Sequence, residues 1–597
     1  MAEQSSSQSE APGAGNNHPD IADIAARSQR IVAEFLARQQ GGAGMADPGK
    51  IGEAFFEMTR RMMADPGKMM AAQMTLWQDH MALWRNTSRR MMGQTAEPVI
   101  EPAKDDRRFK SAEWDDNFLF DYIKQSYLLT ARWMQSTVGD IDGLDDKTAK
   151  KVEFYTRQFA DSMAPSNFAL TNPVVLRETI DSRGENLLRG LNNLLTDLEN
   201  SDGQLRIKMT DPDAFILGEN IAVAPGQVVY QNDLIQLIQF TPTTEITHSR
   251  PLLIVPPWIN KYYILDLQPK NSFIKWAVGQ GYTVFVISWA NPDTELAAKT
   301  FDDYLLEGPL AALDAIEQAT GVADVTAVGY CLGGTLLACT LGYMAAKGDD
   351  RIKAATYFAS MIDFSEPGDL GVFVDEDQLE ALEERMSDKG YLEGSAMANT
   401  FNMLRANDLI WAFVVNNYLM GRESIPFDLL HWNSDSTRMP ASMHSFYLRK
   451  MYIENKLVEP GGISLAGRPI DITRIKTPTY MLSTREDHIA PWASTYAATQ
   501  LYGGPVRFVL AASGHIAGVI NPPDANKYSH WKNPKTPPTP EAWLEGATEQ
   551  AGSWWQDWDK WNARKSGKKI SARQPGDGKL AIIEAAPGSF AKTPSEE

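Results

Sequence analysis

The pattern of hydrophobic and polar positions changes near residue 210. From about residue 21 to 200, apolar residues recur at helical spacing and strand signals are few. From about residue 211, short β-rich runs alternate with helical segments and Gly or Pro turns, a pattern typical of a mostly parallel sheet flanked by helices. The predicted strands are residues 227–241, 252–258, 283–289, 324–330, 352–360, 477–483 and 506–511. We therefore expect an α/β domain over 211–597, preceded by a mostly α-helical N-terminal domain over 21–210.

The interval between the fifth and sixth predicted strands is longer than a simple crossover connection requires. It carries its own helical and aromatic segments, so we expect an inserted cap, or lid, domain at about residues 361–475 that gates access to the sheet. Residues 1–20 are rich in Ser, Gln, Gly and Asn, a composition typical of a disordered tail. About the last thirty residues are predicted to be loosely structured and to contain one short apolar run, at 580–583.

Two helical segments carry apolar stripes. The first stripe, at steps of four and three residues, consists of Met70, Met74, Trp77, Met81 and Trp84. It predicts either a helix packed on its own domain or on a dimer partner, or an adaptable Met-rich surface for an irregular apolar partner. The second stripe, near the C-terminus, consists of Trp554, Trp558 and Trp561, with Trp555 beside them. Because this segment lacks the many Lys and Arg residues of an interfacial membrane helix, packing on the α/β domain is favoured.

Composition and charge narrow the class of protein. The chain has 597 residues, 43% of them hydrophobic and 22% charged, which is typical of a globular protein with more than one domain. A formal net charge of −19 repels phosphates, so nucleic acid is not expected as a partner. The polar, acidic start lacks the features of a secretory signal, and no apolar run approaches the roughly 18 residues that span a bilayer. We therefore expect a cytoplasmic protein with no transmembrane segment.

The cysteine content bears on the chemistry. The only two cysteines, Cys331 and Cys339, lie eight residues apart in one segment, which favours free thiols over a disulfide framework. No Cys-x-x-Cys or His-x-x-x-His spacing accompanies them, so we expect no metal site. One of the two thiols is therefore a candidate for chemistry.

A nucleophile elbow is predicted around Cys331. Residues 325–338 contain a short apolar strand, a small-x-nucleophile-x-small turn and a helix, which is the pattern of α/β-hydrolases with Cys in the place of Ser. Gly329 and Gly333 leave out side chains that would clash across the sharp turn. We therefore predict an α/β-hydrolase fold with Cys331 as its nucleophile.

An oxyanion hole is expected beside this thiol. The helix after Cys331 points its N-terminus at the sulfur, so its dipole favours the thiolate and the N–H of Leu332 can stabilise a developing oxyanion. The second donor is expected in the loop after the strand that ends at residues 256–258, around Ile259 and Asn260.

The fold requires an acid after a later strand and a histidine after the last one, in that chain order. Asp487 follows the sixth predicted strand and His515 follows the seventh. We assign Cys331 as the nucleophile, His515 as the general base and Asp487 as the carboxylate that pairs with it, with a supporting hydrogen-bond role for His488. Structural roles are predicted for Cys339, His431 and His444.

A cysteine nucleophile suits a thioester donor. Exchange between two thiols is nearly balanced in energy, so a cysteine can accept an acyl group from a coenzyme A thioester. The acyl group then rests on a good leaving group, and a hydroxyl can collect it if a base removes its proton. The residues therefore indicate acyl transfer onto an alcohol.

At this point the motifs resemble a known family, the polyhydroxyalkanoate synthases, over about residues 165–597. The segments that carry the resemblance are 256–267, 288–293, 329–334, 432–437 and 514–523. The length and the long helical N-terminal half resemble class I members, which prefer short-chain substrates. At Trp258 this sequence departs from the family pattern, in which a small residue such as Cys is common.

The resemblance implies polymerisation of (R)-3-hydroxyacyl-CoA, with 3-hydroxybutyryl-CoA as the expected substrate, into a polyester with release of CoA through an acyl-cysteine. It implies that His515 activates Cys331, whereas Asp487 either activates the 3-hydroxyl or only orients His515. It also implies a homodimer associated through the cap around Trp432, a place on polyester granules in the cytoplasm with possible granule-associated proteins, and no cofactor beyond the CoA of the substrate.

Two alternatives stay open from the sequence. A thioesterase or a polyester hydrolase on the same fold would share the triad, and the choice depends on whether water reaches the acyl-cysteine. A granule coat protein that has lost catalysis would instead depend on the Met-rich and Trp-rich segments. The intact triad disfavours the coat protein, and the long cap favours a transferase over a hydrolase.

Overall fold

The computed structural model describes residue 27 and residues 48–139, 141, 143–201 and 205–595. The tail predicted at residues 1–20 lies outside the described residues. Before residue 205 the described chain is helical, with α1 Pro48–Ala64, α2 Pro66–Met91, α3 Glu113–Asp116, α4 Phe118–Gly139, α5 Asp146–Ser162, α6 Pro173–Asp181 and α7 Glu185–Glu199. Local signals set the helix starts: α2 begins at a Pro preceded by Asp65, whose carboxylate caps the N–H of Lys68.

The remaining chain alternates strands and helices. The strands are β1 Gly226–Gln231, β2 Ile235–Phe240, β3 Ile246–His248, β4 Leu252–Val255, β5 Val284–Trp289, β6 Val325–Tyr330, β7 Ile352–Phe358, β8 Tyr391–Leu392, β9 Met439–Pro440, β10 Ser464–Leu465, β11 Arg468–Pro469, β12 Thr479–Thr484, β13 Val506–Ala511, β14 Ser529–Lys532, β15 Thr548–Ala551, β16 Lys569–Ser571 and β17 Glu584–Ala585. The helices are α8 Phe273–Gly279, α9 Phe301–Leu305, α10 Ala311–Thr320, α11 Leu332–Lys347, α12 Glu376–Ser387, α13 Gly394–Leu404, α14 Asp428–Ser434, α15 Ala441–Tyr447, α16 Trp492–Ala497, α17 Pro540–Glu545, α18 Trp555–Asn562 and α19 Ser589–Lys592.

One large sheet organises the second half of the described chain. Its strand order is β15-β14-β13-β12-β7-β6-β4-β5-β2-β1-β17. The central strands β5, β4, β6, β7, β12 and β13 are parallel, while β2 joins β5 antiparallel. Every residue of β4, β5 and β6 is buried, which explains their continuous apolar sequences. The strand order, with β4 between β5 and β6, confirms the predicted α/β-hydrolase fold.

The prediction of one strand over 227–241 is wrong, because the structure has a hairpin there. β1 and β2 pair antiparallel, with a register shift between Val228 and Tyr230. The turn is set by Asn232, whose side-chain oxygen accepts from the N–H groups of Leu234 and Ile235. An Asn-Asp turn between two apolar runs carries the signal that the sequence analysis missed.

The prediction of a loosely structured C-terminal segment is also wrong. β16 pairs with β3, and β17 pairs with β1 at the edge of the main sheet. The side-chain amide of Gln236 donates to Glu584 and Ser589 and accepts from the N–H of Phe590. Polar contacts hold this segment together with the packing of Leu580 and Ala591 on the core, whereas Ile582 and Ile583 of the expected apolar run are half exposed.

The prediction that the Trp-rich segment packs on the α/β domain is confirmed. Trp554, Trp555 and Trp558 are fully buried at the start of α18. The indole N–H groups of Trp554 and Trp555 donate to the carbonyls of Gly518 and Val519 at 2.9 Å. This helix therefore fixes the chain a few residues after His515.

The Met-rich stripe of α2, unlike the Trp-rich segment, does not pack on its own domain in the part of the chain that the structure describes. Met70, Met74, Trp77 and Trp84 are exposed, so the interpretation that the stripe packs on its own domain is wrong within the described chain. The helix instead packs on α4 through its opposite side, where Leu83 is buried. Within the described residues, no helix is long and apolar enough to cross a membrane.

Residues 359–478, between β7 and β12, form a segment that we call the insertion. The N-terminal helices pack on it at two places. Phe154 of α5 contacts Phe373 of the insertion, with ring centroids 5.3 Å apart. In α7, the amide of Asn186 donates to the carbonyl of Leu419, and a side chain at Gly190 would overlap the carbonyl of Tyr418. The N-terminal helices α5 and α7 therefore pack directly against the insertion.

We predict that Gly190→Ala loosens this contact. The new methyl group cannot fit against the Tyr418 carbonyl, and overpacking of this kind costs about 1–3 kcal/mol, which exceeds the gain of about 1 kcal/mol from replacing a helical Gly by Ala. Urea denaturation should show a lower midpoint, and hydrogen exchange should become faster at residues 414–419. The matched control is Gly139→Ala at the end of α4, where, among the described residues, no atom beyond the helix's own backbone and the chain neighbours lies within 4 Å of the added carbon. Equal stability of the two variants would contradict the prediction.

Candidate active site

Cys331 lies in a strained turn between β6 and α11. Its φ angle is +51°, a conformation that costs energy in a non-glycine residue, and its N–H donates to the carbonyl of Phe358 at 2.9 Å. A Cβ atom at Gly329 would lie 2.5 Å from the Cα of Gly334, and one at Gly333 would overlap the carbonyl oxygen of Val255. The glycines thus allow α11 to start directly against the end of β4.

This geometry brings the N-terminus of α11 to the thiol. Leu332 is the first residue of the helix, so its N–H has no acceptor within the helix and can bind an oxyanion. On the facing loop, Ile259 lines the same cavity as Cys331. Asn260 is not among the residues that line this cavity; it pairs with Ser436 of the insertion. Of the two positions expected to supply the second donor, the structure brings Ile259 to the site.

Asp487 and His515 come together beside Cys331. The Nδ1 atom of His515 lies 2.7 Å from Oδ2 of Asp487. Thr484 donates to the same oxygen at 3.0 Å, and the N–H groups of Ile489 and Ala490 both donate to Oδ1 at 2.9 Å. Asp487 therefore has both oxygens engaged, and its position in the turn after β12 is fixed.

Asp487 and His515 each favour the charged form of the other, as their pKa shifts show. Burial alone would raise the pKa of Asp487, but the charge and hydrogen bond of His515, with the backbone N–H groups, hold it below its usual value. Burial alone would lower the pKa of His515, but the charges of the Asp487 carboxylate and of the nearby Cys331 sulfur raise it well above its usual value. His515 is thus poised to accept a proton from the cysteine.

The ring of His515 is oriented by a stacked tyrosine and by a loop whose far side is hydrogen-bonded to two tryptophans. Tyr330, which precedes the nucleophile, stacks on it with centroids 5.8 Å apart, and Ser513 adopts a φ of +75° in the loop that delivers it. The loop leaves β13 and is fixed on its far side by the Trp554 and Trp555 hydrogen bonds described above. These contacts keep the imidazole in one orientation.

His488 and Trp432 lie outside the group formed by Cys331, His515 and Asp487. The side chain of His488 is half buried near Asp487 but makes no hydrogen bond to the described residues, and burial lowers its pKa. Trp432 is buried in the insertion, and its indole N–H donates to the carbonyl of Lys261 at 2.7 Å. Trp432 therefore attaches the insertion to the loop after β4.

Cys331 opens into an apolar cavity, which we call the Cys331 cavity. The elbow and the facing loop supply Cys331, Leu332 and Ile259. From the insertion, the cavity is lined by apolar side chains that include Leu370, Val374, Phe373, Met397, Phe401 and Met439. His444, which the sequence analysis assigned a structural role, also lines it. No local signal marks His444, because only the folded insertion brings it to the cavity.

The fold and the site define this chain as an α/β-hydrolase-fold protein with cysteine at the nucleophile position. The family model described as the alpha/beta hydrolase fold matches residues 251–522, and the one described as the poly-beta-hydroxybutyrate polymerase (PhaC) N-terminus matches residues 105–277.

Curated relatives are similar along nearly the whole chain. A poly(3-hydroxyalkanoate) polymerase of Methylorubrum extorquens is 50% identical and covers 92% of each chain. Polymerase subunits PhaC of Rhizobium meliloti and Cupriavidus necator are 47% and 40% identical, covering 96% and 94% of this chain and 94% of each relative. The chain belongs to the poly(3-hydroxyalkanoate) polymerase family.

We predict that Asp487→Asn lowers stability in a pH-dependent way. The raised pKa of His515 stabilises the fold fully below the usual value of 6.5 and loses this effect as the pH rises through the raised pKa. The lowered pKa of Asp487 stabilises the fold above its usual value of 3.8 and loses this effect as the pH falls through the lowered pKa. The variant should therefore lose free energy of unfolding, on the order of 3 kcal/mol, and this loss should be largest between pH 3.8 and pH 6.5, the usual pKa values of the two groups.

Urea denaturation at a series of pH values measures this deficit. The matched control is Glu486→Gln, which removes the neighbouring but exposed carboxylate and should change the midpoint little at any pH. A deficit for Asp487→Asn that does not shrink at alkaline pH would contradict the coupling between Asp487 and His515.

Proposed function

We propose that this chain polymerises 3-hydroxyacyl groups from coenzyme A thioesters into a polyester, with Cys331 as the acyl carrier. The observation that supports this most directly is a cysteine in a nucleophile elbow, beside a buried His–Asp pair and opening into an apolar cavity. The names of the relatives support the same activity. The expected substrate is (R)-3-hydroxybutyryl-CoA, as for class I members of the family.

In the loading step, His515 takes the proton of Cys331, and the thiolate attacks the thioester carbonyl. The developing oxyanion is stabilised by the N–H of Leu332 and by the loop at Ile259. The bond to the CoA sulfur then breaks, and His515 returns its proton to the leaving CoA thiolate. The product is an acyl thioester on Cys331 and free CoA.

In the elongation step, the hydroxyl of a second 3-hydroxyacyl-CoA attacks the acyl-cysteine. His515 removes the hydroxyl proton, the new ester bond forms, and the thiolate of Cys331 leaves and is protonated. The lengthened CoA thioester then transfers its chain back to Cys331, again with release of CoA. Because both oxygens of Asp487 are engaged by His515, Thr484 and backbone N–H groups, we assign Asp487 to orienting His515 rather than to deprotonating the hydroxyl.

A hydrolase on the same fold is the alternative. It would need water at the acyl-cysteine, whereas the insertion covers the elbow with apolar side chains such as Met397 and Phe401. We therefore propose that the insertion acts as a cap that lowers the access of water, and this favours transfer to a hydroxyl over hydrolysis.

The proposed function also implies a cofactor requirement, an oligomeric state and a location in the cell. We propose no metal and no cofactor beyond the CoA of the substrate. We also propose a homodimer and a place on polyester granules in the cytoplasm, with granule-associated proteins as possible partners. The exposed stripe of α2, with Met74 and Trp77, is a candidate for contact with the polyester or with such a protein.

The test is CoA release from (R)-3-hydroxybutyryl-CoA by the purified protein, followed by analysis of the product. We predict insoluble polyester for the wild type and no CoA release for Cys331→Ala, because no other group can carry the acyl chain. The matched control is Cys339→Ala: burial raises the pKa of this thiol to about 12, so it does not take part and the variant should keep polymerising. Free 3-hydroxybutyrate without polymer would identify a thioesterase and overturn the proposal.

A further inference from the structure

The imidazole of His444, in the wall of the Cys331 cavity, lacks hydrogen-bond partners. His444 is almost fully buried, and neither of its ring nitrogens has a hydrogen-bond partner among the described residues. A buried polar group without a partner costs stability, so proteins retain few of them, and those that remain need an explanation. A ligand oxygen in the cavity would supply the missing partner.

Neighbouring polar groups of the cavity are already paired. The hydroxyl of Thr335 donates to the carbonyl of Met361 at 2.7 Å, and the rings of Tyr447 and Tyr452 pack edge to face, with centroids 5.7 Å apart. The indole nitrogen of Trp258 also lacks a partner but is packed among aromatic rings, including that of Tyr447 at 5.6 Å. His444 is therefore a polar side chain in this cavity with both a donor and an acceptor to offer.

The position of His444 suits a contact with the acyl group. It lies on α15 one turn before Tyr447, and both side chains line the cavity that contains Cys331. Burial lowers the pKa of His444 to about 4, so the ring is neutral near neutral pH. A neutral imidazole carries one N–H donor and one acceptor nitrogen, which matches a hydroxyl group in both roles.

We propose that His444 binds the oxygen on C3 of the acyl group that Cys331 carries, and so selects 3-hydroxyacyl groups over saturated ones. In the first unit this oxygen is a hydroxyl, and in a growing chain it is an ester oxygen that accepts from the imidazole N–H. A saturated acyl group would leave both nitrogens unpaired, and sites of this kind discriminate strongly against a substrate that lacks the hydroxyl. This inference rests on the proposed function.

The experiment compares two donors under single-turnover conditions, with CoA release as the readout. Wild-type protein should react with (R)-3-hydroxybutyryl-CoA about 100-fold faster or more than with butyryl-CoA. His444→Phe should lose most of this preference, because its rate with the hydroxyacyl donor falls by a much larger factor than its rate with butyryl-CoA. His444→Gln, which keeps a donor and an acceptor, should retain part of the preference. The matched control is His431→Phe in the same insertion, since His431 does not line the cavity.

A thermal unfolding measurement separates binding from packing. Because His444→Phe removes buried unpaired nitrogens, its melting temperature should not fall. Slower reaction with both donors by the same factor, together with a lower melting temperature, would show a packing role and overturn the inference. An undiminished preference for the hydroxyacyl donor in His444→Phe would overturn it as well. If the wild type releases CoA from neither donor, the proposed function itself fails.

Discussion

The close approach of α11 to the end of β4 is the constraint on which the site depends. Gly333 lies so near the carbonyl of Val255 that no side chain fits there, and Cys331 takes up the strain of the turn with its positive φ. This approach places the helix N-terminus, the thiol and the facing loop within one small space. The strain is offset by the buried strands on both sides and by the hydrogen bond from Cys331 to Phe358. The buried sheet thus fixes the position of the Cys331 thiol.

The site is completed by elements far apart in the chain. The insertion supplies most of the cavity wall, and Phe373 of that wall rests against Phe154 of the N-terminal helices. Trp432 joins the insertion to the loop after β4, beside the expected oxyanion donors. The N-terminal helices therefore bear on the proposed chemistry only indirectly, because they pack against the apolar surface that we propose to limit the access of water to Cys331.

The sequence predicts those parts of the structure that depend on local patterns. The glycines around Cys331 and the strands before Asp487 and His515 were enough to expect the fold and the residues that the structure brings together. It could not predict β17, because polar contacts of Gln236 with Glu584 and Ser589, rather than an apolar period, set its place. The position of His444 in the cavity wall could not be predicted either, since the cavity forms only when the insertion has folded over the elbow.

The central claim is that the acyl group passes through a covalent thioester on Cys331. Rapid quenching of the protein with substoichiometric (R)-3-hydroxybutyryl-CoA, followed by peptide mass spectrometry, tests this claim most directly. We predict a 3-hydroxybutyryl adduct on the peptide that contains Cys331, removable by hydroxylamine as a thioester is. An adduct on a different residue, or polyester formed with no adduct on Cys331 at any time, would contradict it.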